Sequence, residues 1–131
     1  MPGPSNNPDS KQNRRSLRVL VVDDFYPVAN AFVSSLATNF YEARVAYSAA
    51  EALDIAEQFR PHALIADVIL PDMDGFQLAA QFDARYPDCH VLLMSASYSG
   101  TPKNAGGLRL VSKDSALEEA FRLLDGLLGS E

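Results

Sequence analysis

A chain of 131 residues with 47% apolar content can bury one core and lies outside the composition of disordered chains. Its net charge of −6 is uneven: residues 1–18 carry +3, from Lys11, Arg14, Arg15 and Arg18 against Asp9, and the remainder carries −9, a globule that repels nucleic-acid phosphates. There is no membrane-length apolar run and no signal-peptide core, and the single cysteine, Cys89, excludes an internal disulfide, so the expected location is the cytoplasm.

Residues 1–16 have almost no apolar side chains and are expected to form a disordered, basic tail, leaving 17–131 as one domain. Strand-length runs rich in Val, Leu and Ile follow at 17–22, 43–46, 63–66, 90–94 and 108–111. Helical patterns lie between them. Residues 27–39 open on Pro27, which suits a first turn, and present Val28, Phe32, Val33 and Leu36 at helical spacing. Ser48 and Glu51 read as a capping box for 49–59, and Ser115 and Glu118 as another for a last helix ending near Leu128. Between these, 75–86 offers Phe76, Leu78, Ala79 and Phe82. Strand and helix alternate, which predicts an α/β fold with a five-stranded parallel sheet covered on both faces. One connection breaks the pattern. Residues 96–107 number twelve, include Gly100, Pro102, Gly106 and Gly107, and have no apolar period. Twelve is near the minimum for a parallel crossover, so the fourth helix is expected to be short or absent, with at most one turn at 102–105.

The chemistry collects at strand ends. Asp67 closes the run Ala63-Leu64-Ile65-Ala66, Asp23-Asp24 close the first strand, and Ser95 and Lys113 follow the last two. In a parallel sheet these positions gather on one edge. A carboxylate at the mouth of a buried strand is costly unless something there needs negative charge. Three carboxylates and one ammonium describe a site for a divalent cation and a phosphoryl group. Simpler roles compete: Asp23-Asp24 as caps of the helix at Pro27, Asp72 and Asp74 as turn and N-cap residues, His62 and His90 as locally bonded, and Cys89 as a packed thiol.

Val21-Val22-Asp23-Asp24, the run Asp67-Val68-Ile69-Leu70-Pro71-Asp72-Met73-Asp74-Gly75, Leu92-Leu93-Met94-Ser95-Ala96, and Lys113 together resemble the receiver domain of two-component response regulators over residues 17–128. The resemblance implies a flavodoxin-like sheet of order 2-1-3-4-5. It also implies that Asp67 takes a phosphoryl group from a phosphohistidine on a sensor histidine kinase or phosphotransfer protein, with Mg²⁺ as cofactor. Asp24, Asp67 and the Ile69 carbonyl would ligate the metal directly and Asp23 largely through water. Lys113, the Ser95 hydroxyl and the Ala96 N–H would meet the phosphoryl oxygens.

Three features depart from the family. Lys113 precedes Asp114 where the family has a cis-proline bond; cis before a non-proline residue costs about 3 kcal/mol, so trans is expected. The switch aromatic, three positions before the lysine, is Leu110, which has no ring to swing, and Tyr98 is a candidate substitute. The shortened crossover removes part of the face commonly used for phosphorylation-dependent contacts, which leaves the 96–107 loop, the first helix or the last to carry the signal to a downstream protein. The last helix is apolar on more than one side, through Leu123 and Leu127 besides Leu117, Phe121 and Leu124, which suits a monomer or a weak homodimer. Three functions follow in order: a phosphorylatable receiver that is not an enzyme, a phosphorylation-independent interaction module of the same fold, and a phosphohydrolase. The last is disfavoured because Ile69 stands where a general acid would be needed.

Overall fold

The computed structural model describes residues 14–100, 103–105 and 108–129. Among them are six strands, β1 (Arg18–Val22), β2 (Glu42–Ala46), β3 (Ala63–Asp67), β4 (His90–Ser95), β5 (Lys103–Ala105) and β6 (Leu108–Ser112). Four α-helices accompany them: α1 (Tyr26–Thr38), α2 (Ala49–Phe59), α3 (Gly75–Arg85) and α4 (Ala116–Gly129). Most of the expected 1–16 tail lies outside the described residues; of its end, Arg14 stands over the Tyr41 ring and 3.7 Å from Asp125.

The sheet order is β2-β1-β3-β4-β6-β5. The five parallel strands reproduce the expected 2-1-3-4-5 arrangement, and β5 adds a sixth, antiparallel to β6, that the five-strand expectation lacked. Residues 103–105, expected as at most one helical turn, are extended. Chain economy explains the replacement. A return along β6, about 16 Å at roughly 3.3 Å per residue, takes about five extended residues, whereas a helix rising about 1.5 Å per residue needs about eleven plus turns. Twelve residues suffice for the first solution only. The hairpin therefore brings the chain back in the plane of the sheet instead of over its face.

Strand alternation sorts the core into two layers. Val19, Val21, Ile65, Leu92, Met94 and Val111 meet Phe32 and Leu36 of α1 and Ala120 and Leu124 of α4. Leu20, Val22, Leu64, Ala66, Val91 and Leu93 meet Ala52, Ala56 and Phe59 of α2 and Leu78, Ala79 and Phe82 of α3. β3 lies at the centre and is buried throughout, as a strand covered on both faces must be. Three of the expected helix starts hold. Ser48 Oγ accepts the Glu51 N–H, while the last helix differs: Ser112 caps a 3₁₀ turn that leads into it, and its Oγ accepts the Ser115 N–H. This turn, over Lys113–Ser115, lies between β6 and α4, and Glu118 pairs with Arg122 instead of closing a box.

The opposite end of the sheet is pinned through His62. Its N–H donates to the Arg18 carbonyl, its Nδ1 accepts the Arg18 N–H at 3.0 Å, and its carbonyl accepts the His90 N–H. The Arg18 guanidinium donates to the Phe59 and Arg60 carbonyls, satisfying the C-terminus of α2. Burial, and then the Arg18 charge, hold the His62 imidazole below its ordinary value. The unfolded chain binds a proton near pH 6.5 that this folded site refuses, so stability falls as the pH drops through that value. Thermal melts between pH 7.5 and 5.5 should show a loss that is reduced in His62→Asn, whose amide oxygen can accept the same N–H without titrating; an equal loss in the variant would assign the effect to other groups.

Candidate functional site

Register brings the site together. Val22 pairs with Ala66, which sets Asp23 level with Asp67, and Ser95 pairs with Ser112, which sets Lys113 just beyond both. Two-residue alternation then selects the face: Asp23, Asp67 and Lys113 share the parity of Val21, Ile65 and Val111, on the side of α1 and α4. Asp24 has the opposite parity and is exposed.

The Lys113 ammonium stands 2.7 Å from Asp67 Oδ2, to which it donates a hydrogen bond, and 2.7 Å from Asp23 Oδ2. Asp23 is fully buried and Asp67 nearly so. Burial lowers the Lys113 pKa, but hydrogen bonds and charge from Asp23 and Asp67 outweigh it and hold the lysine above its ordinary value. Lys113–Asp114 is trans as expected, since no cis peptide is present among the described residues. The tight 3₁₀ turn that starts at Lys113 sets the lysine at the strand end without it.

Backbone groups fix the carboxylates. Asp23 Oδ1 accepts the Phe25 N–H at 3.0 Å, and Asp67 Oδ1 accepts the Ile69 N–H at 3.1 Å. The loop after β3 is folded back on itself: Gly75 N–H donates to the Val68 carbonyl, and Ile69 and Asp74 form an isolated bridge. Asp74 caps α3 in a reciprocal box with Gln77, as one of its simpler roles anticipated. Asp72 does more than a turn residue: its carboxylate accepts the N–H groups of Ala49 and Ala50 and so caps α2 from another loop. Burial, the largest single influence, raises the Asp72 carboxyl, but the N–H groups of Ala50 and Ala49, with those of Asp72 and Met73, together outweigh it and hold the group below its ordinary value. Sequence held no signal for this contact, because its partners are 22 and 23 positions away.

Ser95 and Ala96 lie beside the triad without joining it. The Ser95 hydroxyl accepts the Ser97 N–H, and Ala96, Tyr98, Ser112 and Lys113 line a cavity of about 430 Å³ with Phe32 and Leu117. The Ile69 side chain is 71% exposed. Leu110 is partly buried against the α2/α3 core layer.

Asp23 Oδ2 is buried, with the Lys113 ammonium at 2.7 Å as its charged neighbour. A buried anionic oxygen suits a hard divalent cation. Asp23 and Asp67 thus fit a magnesium ion, with Asp24 at the mouth; among the described residues the three are not already gathered into one ligand cluster.

A family model, the response regulator receiver domain, matches residues 19–124. The chain belongs to the response regulator receiver family. It is 34% identical over 117 residues to the response regulator MprA of Mycobacterium bovis, a match that covers 86% of this chain and 51% of the relative. The chain therefore spans about half the length of the curated relatives it matches. Among solved structures, a CheY-like receiver domain protein of Methanospirillum hungatei superposes with a TM-score of 0.70 at 23% identity, covering 88% of this chain and 98% of that one. The response regulator TrrA of Thermotoga maritima, in complex with Mg²⁺ and beryllium fluoride, gives 0.68 at 24%, covering 82% and 98%. These two likenesses establish the receiver fold.

Two measurements probe the geometry. A Cβ at Gly75 would lie 2.6 Å from the Asp67 carbonyl oxygen and 2.9 Å from Val68 Cα, so Gly75→Ala should destabilise the fold by about 1–3 kcal/mol in chemical denaturation; an unchanged midpoint would mean that the loop yields freely. Because Lys113 binds its proton more tightly folded than unfolded, its contribution is complete below the ordinary lysine range and is lost as the pH rises through the raised value. Lys113→Met should accordingly flatten the alkaline loss of stability above about pH 10.4, read by melts between pH 9 and 11.

Proposed function

We propose that this receiver is phosphorylated on Asp67 by a phosphohistidine-bearing sensor kinase or phosphotransfer protein and passes the signal on by protein contact. The observation that supports this reading is the Lys113 ammonium held 2.7 Å from Asp67 Oδ2 and Asp23 Oδ2 in a nearly dry site. An Asp67 carboxylate oxygen attacks phosphorus, the P–N bond of the donor breaks, and its electron pair returns to the imidazole. Lys113 neutralises charge on the transferred group, the role of a preorganised cation in phosphoryl transfer. The Ser95 hydroxyl, on leaving Ser97, and the Ala96 N–H serve the remaining oxygens.

Bound Mg²⁺ supplies the positive charge that lets a carboxylate approach an anionic donor. Asp67, Asp24 and the Ile69 carbonyl are the proposed direct ligands, with Asp23 acting largely through water. The buried Asp23 oxygen beside Lys113 and the exposed Asp24 at the mouth are the observations behind that set. No helix among the described residues is long and apolar enough to cross a membrane. Burial pushes the Cys89 thiol up to about 12, so it stays protonated at neutral pH. The cytoplasm is the proposed location. The proposed assembly is a monomer or weak homodimer, without nucleic acid bound by this domain.

One observation favours a second reading, a phosphorylation-independent interaction module: Leu110, partly buried against the core layer, stands where the family has its mobile aromatic. Intact mass after incubation with acetyl phosphate and Mg²⁺ separates the two. One added phosphoryl group, absent in Asp67→Asn and reduced at least tenfold in initial rate by omission of Mg²⁺, is the expected result. An unchanged mass with every small donor tried would leave the interaction module standing.

A further inference from the structure

The in-plane return of the chain has a consequence for the face it does not cross. A parallel sheet carries helices on both faces, and each helix, about 10 Å across, covers about two strands spaced about 4.8 Å apart. On one face α1 and α4 serve the parallel strands. On the other, α2 and α3 leave the β6 edge without a helix among the described residues, and Leu108 and Leu110 there are only partly buried. A groove of about 480 Å³ lies alongside, floored by Val91 and Leu108 and walled by Phe76, Ala79 and Ala80 of α3. Phe76 is 46% exposed. The carboxylates of Asp83 and Asp88 border the groove.

We propose that this groove is a docking site for one amphipathic helix of a partner protein, with an apolar stripe flanked by lysine or arginine. Width selects the helix, because the open space is one helix wide beside a sheet face that otherwise carries helices. Charge selects the partner. Asp83 and Asp88 attract a basic flank, while a second copy of this chain, with a net charge of −6, is repelled. The helix would lay residues at i, i+3, i+4 and i+7 against Leu108, Val91 and Phe76. The site lies along α3 and the start of β4, apart from Asp67, so binding there needs no phosphoryl group.

The test is a titration of the ¹⁵N-labelled chain with three synthetic peptides: a leucine-striped helix flanked by lysines, the same stripe flanked by glutamates, and a scrambled lysine peptide. The lysine-flanked helix should shift amides around Phe76, Ala80, Val91 and Leu108, and bind at least tenfold more tightly than the other two. Ala80→Arg, at an exposed position, should weaken it at least tenfold with the melting temperature unchanged. Asp83→Lys with Asp88→Lys should reverse the preference to the glutamate-flanked peptide. Equal affinity for the scrambled peptide, shifts confined to the Asp67 edge, or no binding at millimolar peptide would overturn the proposal. So would concentration-dependent dimerisation of the unliganded chain through the same amides, which would assign the groove to a second copy.

Discussion

The short contact of one ammonium with two buried carboxylates is the interaction on which the functional edge depends. Two anions at neighbouring strand ends, withdrawn from water, repel strongly at low effective dielectric, and a single cation between them changes the sign of the sum. Nothing else in the described structure neutralises Asp23 and Asp67. β1, β3 and β6 are therefore held at a common level by electrostatics as well as by their ladders. The same geometry aims one Asp67 oxygen at the ammonium that, on the proposed function, meets the transferred phosphoryl group. Stability and reactivity here draw on one arrangement.

Backbone donors complete it. Each of the two aspartates gives one oxygen to an N–H two residues ahead and leaves the other to face Lys113. Asp72 extends this order outward, since the loop that carries Ile69 is bonded to the first turn of α2. The mouth of the site is thereby tied by hydrogen bonds to the start of a helix some twenty residues away in sequence.

Much of this was legible in the sequence because it rests on local signals. Alternating strand and helix lengths gave the parallel sheet, apolar runs ending in Asp23 and Asp67 gave the edge, and Asp74 with Gln77 is a cap built from neighbours. What escaped depends on partners distant in the chain. Asp72 looks like any turn aspartate until α2 is placed beside it. Ser115 and Glu118 satisfy a capping pattern, yet Ser115 lies inside a 3₁₀ turn capped by Ser112, and that turn fixes where α4 can begin. The twelve residues after Ser95 showed correctly that a helix would not fit. They did not show that an extended return would, since a three-residue strand with lysine and asparagine has too little pattern to register. Asp24 illustrates a finer limit: proximity in sequence to Asp23 says nothing of parity, and parity decides which of the pair is buried.

The β5–β6 hairpin also alters how the edge of the sheet is built in time. A parallel strand joined by a helical crossover cannot pair until the helix and the sheet surface beneath it are both in place, which makes such pairings slow. A hairpin is a local structure that closes in about 1–10 μs. Here β6 has one neighbour, β5, that is local in the chain, so its pairing on that side does not wait for a helical crossover. The edge it finally presents is a strand of three residues that includes Lys103, too short and too charged to recruit another chain. Replacement of one helix has thus exchanged a long-range crossover for a local pairing at this corner of the domain, and left it with a short, charged edge.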